Sequence, residues 1–262
     1  MGGYQPSIYA PLMSLLQREE VRHALKLLEV KADCQDKQWQ PHGHGLGGIV
    51  EMKNLVIIAA GGCGREVLQW AKDINEKENR WNIKGFIDDN LNALNGLKCD
   101  VPILATIDDY EIHPDDEFVC CIGNSNVRKM VVEKLKAKGA VFATLVHPNA
   151  VIADSCTLGE GVIIYPYALI SDNAVIGEQC IINMYSSVAH DSVLGKYCTI
   201  SAHCDVTGMC KLGDRVFMGT TSNMVPSSKI GDDVYICAGS TVMGRVRAGN
   251  KVLGNPAKIV KF

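Results

Sequence analysis

Residues 152–205 read IADSCT LGEGVI IYPYAL ISDNAV IGEQCI INMYSS VAHDSV LGKYCT ISAHCD, and every block of six opens on an aliphatic residue. The register continues through Val206, Leu212, Met218, Met224, Ile230, Ile236 and Val242. Four residues after each of these positions stands a small side chain, from Cys156 and Val162 to Ser240 and Val246. Glycine recurs at the second place, at Gly159, Gly177, Gly195, Gly213, Gly219 and Gly231. Two linked positions repeated over so many blocks mark a solenoid. The physical reading is a triangular coil with six residues per face and eighteen per turn, a left-handed parallel β-helix. Aliphatic residues fill its interior, and the second inward position, near the corner, has room only for a small side chain. Cys156, Cys180, Cys198, Cys204 and Cys210 fall in that small register and read as packing residues. A metal or redox pair at Cys204 and Cys210 is the functional alternative.

Upstream the pattern changes. From 52 to 146 short apolar runs alternate with helical periodicity: strands at Leu55 to Ala59, Ile83 to Ile87 and Phe118 to Ile122, helices at Gly64 to Glu76 and Asn126 to Ala137. This predicts an α/β Rossmann-like domain ahead of the β-helix, which takes 147–262. Ligands of such sheets sit beyond the carboxyl ends of the strands. Residues 1–51 hold a short amphipathic stretch (Leu15, Leu16, Val21, Ala24, Leu25, Leu28) and a Gly/His run from Pro41 to Gly48. They contain no motif and read as an extension dispensable for activity. His42 and His44 read as part of a solvated loop, with weak metal binding as the alternative.

With 47% hydrophobic and 21% charged residues and a net charge of −3, the chain has the composition of a globular protein without a basic footprint for nucleic acid. Small-molecule partners are expected. Neither a bilayer-length apolar run nor a signal-peptide pattern is seen, so a cytoplasmic address is expected. The eleven cysteines are read as reduced thiols.

Several landmarks between Met52 and Phe262 stand in a familiar order: the turn at 60–64, Ile87-Asp88-Asp89, Ile122-Gly123-Asn124 with Arg128, Val188-Ala189-His190-Asp191, and Gly254-Asn255-Pro256-Ala257-Lys258. In this the chain resembles the hexapeptide-repeat sugar acyltransferases of the sialic acid O-acetyltransferase and bacillosamine-pathway N-acetyltransferase type. The resemblance implies a homotrimer with active sites between neighbouring β-helices. Acetyl-CoA would lie along Gly208, Gly219, Ala238 and Gly239 under a closing segment at Lys258, and a nucleotide sugar would be held by the N-terminal domain. It further implies His190 as general base, the Gly208 amide as oxyanion donor and a polar role for Asn183. A second histidine of some relatives is Thr199 here, which leaves a helper role there in doubt.

The residues themselves support such a site. Acyl transfer from a thioester needs a base and an oxyanion donor. Imidazole titrates near 6.5 unless perturbed and so accepts protons in neutral solution. Residues eighteen apart stack at about 4.8 Å, so Asp172 lies under His190 and Gly208 over it. Either Asp172 or Asp191 is placed to orient the imidazole. A surface histidine capping a turn is the alternative.

Gly61, Gly62, Cys63 and Gly64, between a strand and a helix, read as substrate contacts, the glycines suiting the approach of a phosphate, although Ala59 and Cys63 replace a glycine and a histidine of the commonest family form. Asp88 and Asp89 read as nucleotide or sugar contacts or as a turn pair, Asn124 as a substrate contact, and Arg128 as a phosphate contact or a solvated helix residue. The expected function is transfer of acetyl from acetyl-CoA to an amino group of a nucleotide-activated amino sugar, without a metal. Rivals are O-acetylation of a sugar hydroxyl, a non-catalytic sugar-nucleotide scaffold, and a γ-type carbonic anhydrase with zinc on His147, His190 and His203.

Overall fold

The computed structural model describes residues 52–261. The amphipathic stretch from Leu15 to Leu28 and the pair His42 and His44 lie outside the described residues. Strand β1 (Lys53–Ile58) ends in four consecutive buried apolar residues, as a central strand covered on both faces requires. It lies between β2 (Trp81–Ile87) and β4 (Asp116–Cys120), with β3 (Ile103–Ala105) and β5 (Val141–Phe142) at the edges. All pairings in this sheet are parallel. Helix α1 (Gly62–Glu78) connects β1 to β2 and buries Val67, Leu68, Ala71 and Ile74 along one face. Helix α2 (Ser125–Ala137) connects β4 to β5 and buries Val131, Val132 and Leu135.

The Rossmann-like domain is therefore as expected, with shifted ends. Helix α1 starts at Gly62 rather than Gly64 because the turn glycines enter the helix, and β2 starts at Trp81 because Trp81 pairs with Lys53. Strands β3 and β5, three and two residues long, are too short to announce themselves by periodicity.

Downstream, two-residue strands wind into the left-handed parallel β-helix that the repeat predicts. Ile170 pairs with Val188 and Val188 with Val206, eighteen residues apart at each step. Leu145–Val146, at the end of the first unit, already pairs with Ile163–Ile164 as a rung of the coil. The far end is closed by an antiparallel hairpin of Lys251–Gly254 with Ala257–Val260. The small register is buried from Cys156 to Val246, all five repeat cysteines included. Cys204 Sγ donates to the Gly219 carbonyl at 3.1 Å and Cys210 Sγ to that of Val225 at 3.4 Å, which is packing chemistry.

The recurrent glycines are steric. A Cβ on Gly177 would sit 2.6 Å from the Gly195 carbonyl carbon, and one on Gly219 would sit 2.6 Å from the Ala238 nitrogen. A different position turns the corners. Every sixth residue from Gly161 to Gly239 has a left-handed backbone, with the twelve non-glycine members, Tyr167 to Asp233, at φ between 54° and 63°.

The two units share a core in which Trp70 of α1 packs with Ile163, Tyr165, Ile181 and Met184 of the coil. They are also joined by Arg128 of α2, whose side chain is wholly buried. Its Nε donates to the Gln179 carbonyl at 3.0 Å, Nη1 to that of Ile122 at 2.6 Å, and Nη2 to those of Tyr197 and Cys198 and to Thr199 Oγ1. Burial draws this guanidinium below its ordinary value, but an arginine keeps its proton in proteins. Replacing Arg128 by Met leaves the Gln179, Ile122 and Tyr197 carbonyls without their donor, that of Cys198 keeping its bond from Ile181 N, and is expected to cost roughly 3–5 kcal/mol in denaturant unfolding; a loss under about 1 kcal/mol would contradict the fastening role.

Asp116 supplies a pH dependence. Burial alone would push its carboxyl up, yet hydrogen bonds from the His113 N–H, Lys84 and Tyr110 together hold it below the ordinary carboxylate range. A depressed folded pKa means that the unfolded chain binds the proton more tightly, so this contribution is complete above about pH 4 and fades as pH falls through the folded value. Acid titration of stability should therefore be shallower below about pH 4 in Asp116→Asn than in the wild type.

Candidate active site

His190 occupies a corner between two faces of the coil, immediately before the left-handed residue Asp191. That turn folds the Asp191 carboxylate back onto its neighbour, and His190 Nδ1 lies 2.9 Å from Asp191 Oδ2. Both side chains are 55% exposed. With Nδ1–H donating to the carboxylate, the tautomer leaves Nε2 as the acceptor. Gly208 stacks on His190 one coil further on, as the eighteen-residue arithmetic requires. A Cβ at Gly208 would fall 2.6 Å from Nε2 and 2.7 Å from Cε1, so only glycine leaves the ring where it is. No hydrogen bond among the described residues uses the Gly208 N–H, while its carbonyl accepts from Ser227 N at 3.0 Å.

Asp172 does not orient the imidazole. It is linked to the corner through its backbone, its carbonyl accepting from Asp191 N at 3.0 Å, while its carboxylate engages Ser155 Oγ and Asn173 Nδ2. The acid left open by the sequence is thus Asp191 by geometry. Asn183 uses its carboxamide oxygen on the Met184 N–H at 2.7 Å, a local turn bond. Gly219 packs under Ala238, Gly239 turns a corner at φ 68°, and Lys258 sits in the closing hairpin opposite Leu253. Thr199 Oγ1 accepts from Arg128 and faces the Gly123 carbonyl, which gives it a junction role.

The N-terminal set forms a separate cluster. Gly61 and Gly62 open α1 with free space around them, whereas a Cβ on Gly64 would lie 1.9 Å from the Ala59 carbonyl oxygen. Gly64 is therefore a packing glycine. Ala59 has φ 75°, which explains why glycine suits this position. Asp88 holds the turn in shape, Oδ2 accepting from Ala60 N and Oδ1 from Asn90 N, each at 2.8 Å. Asp89 accepts from Ile107 N at 3.0 Å.

Three expected substrate contacts are corrected. Asn124 caps α2, accepting from the Asn126 and Val127 amides. Arg128 is buried in the junction with every nitrogen bonded to protein, so it has no donor left for a phosphate. Cys63 points inward, 3.1 Å from Tyr165 Oη. Tyr165 was missed because it sits as an ordinary aromatic within a repeat block.

The three histidines of the zinc reading have separate surroundings. His147 Nε2 meets Asp73 at 3.1 Å, His190 meets Asp191, and His203 stacks on Tyr185 at 5.0 Å. Among the described residues no three His, Cys, Asp or Glu side chains form a metal cluster. A cavity of about 280 Å³ between α1 and the first coils is lined by Trp70, Asp73, His147, Tyr167 and Tyr185, apart from the expected site residues.

Fold and site together define a hexapeptide-repeat protein with a Rossmann-like N-terminal domain. Residues 54–135 match the PglD N-terminal domain and residues 173–208 the bacterial transferase hexapeptide (six repeats). It is 29% identical over 114 residues to UDP-N-acetylbacillosamine N-acetyltransferase of Bacillus subtilis (strain 168), covering 43% of this chain and 51% of that protein. The chain thus spans about half the length of that curated relative.

Among solved structures it resembles the acetyltransferase domain of PglB from Neisseria gonorrhoeae FA1090, alone and in complex with acetyl coenzyme A. The TM-scores are 0.74 and 0.73 at 25% identity, over 79% and 80% of this chain and all of that one. It also resembles PerB from Caulobacter crescentus in complex with CoA and GDP-perosamine, with TM-score 0.72 and 25% identity over 84% of this chain and all of that one.

The crowding at Gly208 gives a direct test. The imidazole is the far end of an exposed side chain, so Gly208→Ala is expected to change stability by less than about 0.5 kcal/mol while swinging the ring away. Unaltered His190 imidazole resonances in the variant would contradict the stacking.

Proposed function

We propose that the chain transfers an acetyl group from acetyl-CoA to the amino group of a nucleotide-activated amino sugar, in the synthesis of a surface polysaccharide or glycan. The observation that carries this reading is the corner where His190 Nδ1 is held by Asp191 and Nε2 faces the space above Gly208. The relatives lend support: one is named for acetylation of a UDP-amino sugar, and two were solved with acetyl coenzyme A or with CoA and GDP-perosamine.

The steps follow from the residues. His190 Nε2 takes the proton as the amine attacks the thioester carbonyl. Asp191 stabilises the imidazolium that forms, as the acid of a triad does. The Gly208 N–H donates to the oxyanion, and a fixed donor of this kind is worth about 3–4 kcal/mol. When the tetrahedral intermediate collapses, the carbon–sulfur bond breaks and the CoA thiolate takes the proton from Nε2. Attack is direct, since the repeat cysteines are interior packing residues. The glycines at 61 and 62, at the open N-terminus of α1, are the proposed phosphate contacts, and the groove along Gly219, Ala238 and Gly239 to Lys258 the proposed pantetheine path. The active unit is a homotrimer in the cytoplasm, with each site completed by a neighbouring copy, and no metal takes part.

His190→Ala is expected to retain acetyl-CoA binding in a thermal-shift assay while turnover falls by about 10²–10⁴-fold. Near-normal turnover would refute the base. Stabilisation by a panel of UDP-, GDP-, dTDP- and CMP-amino sugars, with mass analysis of products, identifies the acceptor; acetylation at oxygen would overturn the amine assignment.

A further inference from the structure

One outer face of the coil changes character at the level of the His190 corner. Its outward positions, rung above rung, are Thr157, Val175, Val193, Lys211, Lys229 and Arg245, each paired in register with the next. The residue after each of them, from Leu158 to Val246, fills the interior. The lower half of this row is uncharged and the upper half is wholly positive. Val175 and Val193 are buried, Lys211 is half-buried, and Lys229 and Arg245 are exposed. Neighbouring rungs stand about 4.8 Å apart, and like charges set opposite each other on paired strands destabilise a sheet. Among the described residues no carboxylate pairs with Lys211 or Lys229. The acids that follow them along the chain, Asp214 and Asp232, belong to the next corner, where they accept from the Lys196 and Asp214 amides. Such a row calls for an anion from outside the chain.

Its position names the anion. Lys211 follows Gly208 by three residues, about 10 Å of extended chain. Arg245 stands two rungs above Lys211, about 10 Å further along the coil. From Gly208 to the end of the row is therefore roughly 14 Å. The pantetheine arm of CoA, about four peptide units long when extended, also spans roughly 14 Å. We propose, on the acetyl-transfer reading, that Lys211, Lys229 and Arg245 hold the pyrophosphate and 3′-phosphate of CoA while its thioester lies at Gly208. Lysine meets a phosphate as a point charge and arginine through paired N–H donors. The diphosphate of the nucleotide sugar has its own place at the start of α1, which leaves CoA as the polyanion for this face. Gly239 turns a different corner of the coil, the one before Thr241–Val242. The glycine path thus comes from a neighbouring copy, and the basic row from the copy that carries His190.

CoA binding is measured by calorimetry on the full chain and on the double variant Lys229→Gln, Arg245→Gln, over a series of salt concentrations. The variant is expected to keep its stability, since a repulsion is removed. At low salt its affinity for CoA is expected to fall about tenfold or more, and the two proteins should converge as salt screens the row. A merely structural role would weaken binding equally at every salt concentration. In the wild type, CoA should shield Lys229 from amine-directed labelling and leave the exposed Lys98 of the N-terminal domain as reactive as before, a result that needs no variant to fold. Undiminished affinity in the double variant, a loss independent of salt, or an unshielded Lys229 overturns the basic row and leaves acetyl transfer standing. A wild type that binds no CoA overturns both.

Discussion

Eighteen residues must return the chain to the same point one strand spacing higher, and the rest of the β-helix depends on that closure. It is achieved by a left-handed backbone at every sixth residue, a conformation that costs an ordinary side chain about 1–2 kcal/mol. Tyrosine, arginine, methionine and aspartate all accept it here. What holds them is the neighbouring coil: Asp191 N bonds to the Asp172 carbonyl, Met209 N to that of His190 and Ser227 N to that of Gly208. Each turn is thus stabilised by the turn before it, and the interior aliphatic column adds hydrophobic burial to the same contacts.

The same closure accounts for the candidate site. A corner pushes two side chains outward, and its left-handed second residue bends the carboxylate of Asp191 toward the imidazole of His190. The residue one coil on must then be glycine if the ring is to lie flat across it. The proposed base, its orienting acid and the proposed amide donor are in this sense products of coil geometry, and an exposed pair on a surface loop would have no comparable frame.

Much of this was legible in the sequence because the period carries spatial information. A step of six identifies the interior, explains Cys180 and Cys204 as packing residues, and places Gly208 over His190 from the sequence alone. What escaped it has a common physical origin. Arg128 is held by backbone carbonyls 51 to 70 positions away, and a carbonyl has no sequence signature. Asp88, Asp89 and Asn124 are residue types that cap turns and helices as readily as they bind ligands, so their commitment to backbone amides became visible only with the fold. The choice between Asp172 and Asp191 turned on the direction of a carboxylate, which neither spacing nor composition records. The corner positions gave no warning, since glycine and asparagine are the residues usually expected there.

The Arg128 junction has a mechanical meaning. Many enzymes bring a binding domain onto a catalytic one through a hinge, and a hinge needs an interface that can be unmade at low cost. Here the first turn of α2 is fixed to successive coils by an ion with no exposed surface, and the two units share a continuous apolar core. Rigid-body closure of one unit on the other is therefore too costly to serve as a working motion. Any adjustment to a bound molecule has to come from side chains at the corners, from the short turns beyond the sheet, or from the molecule itself.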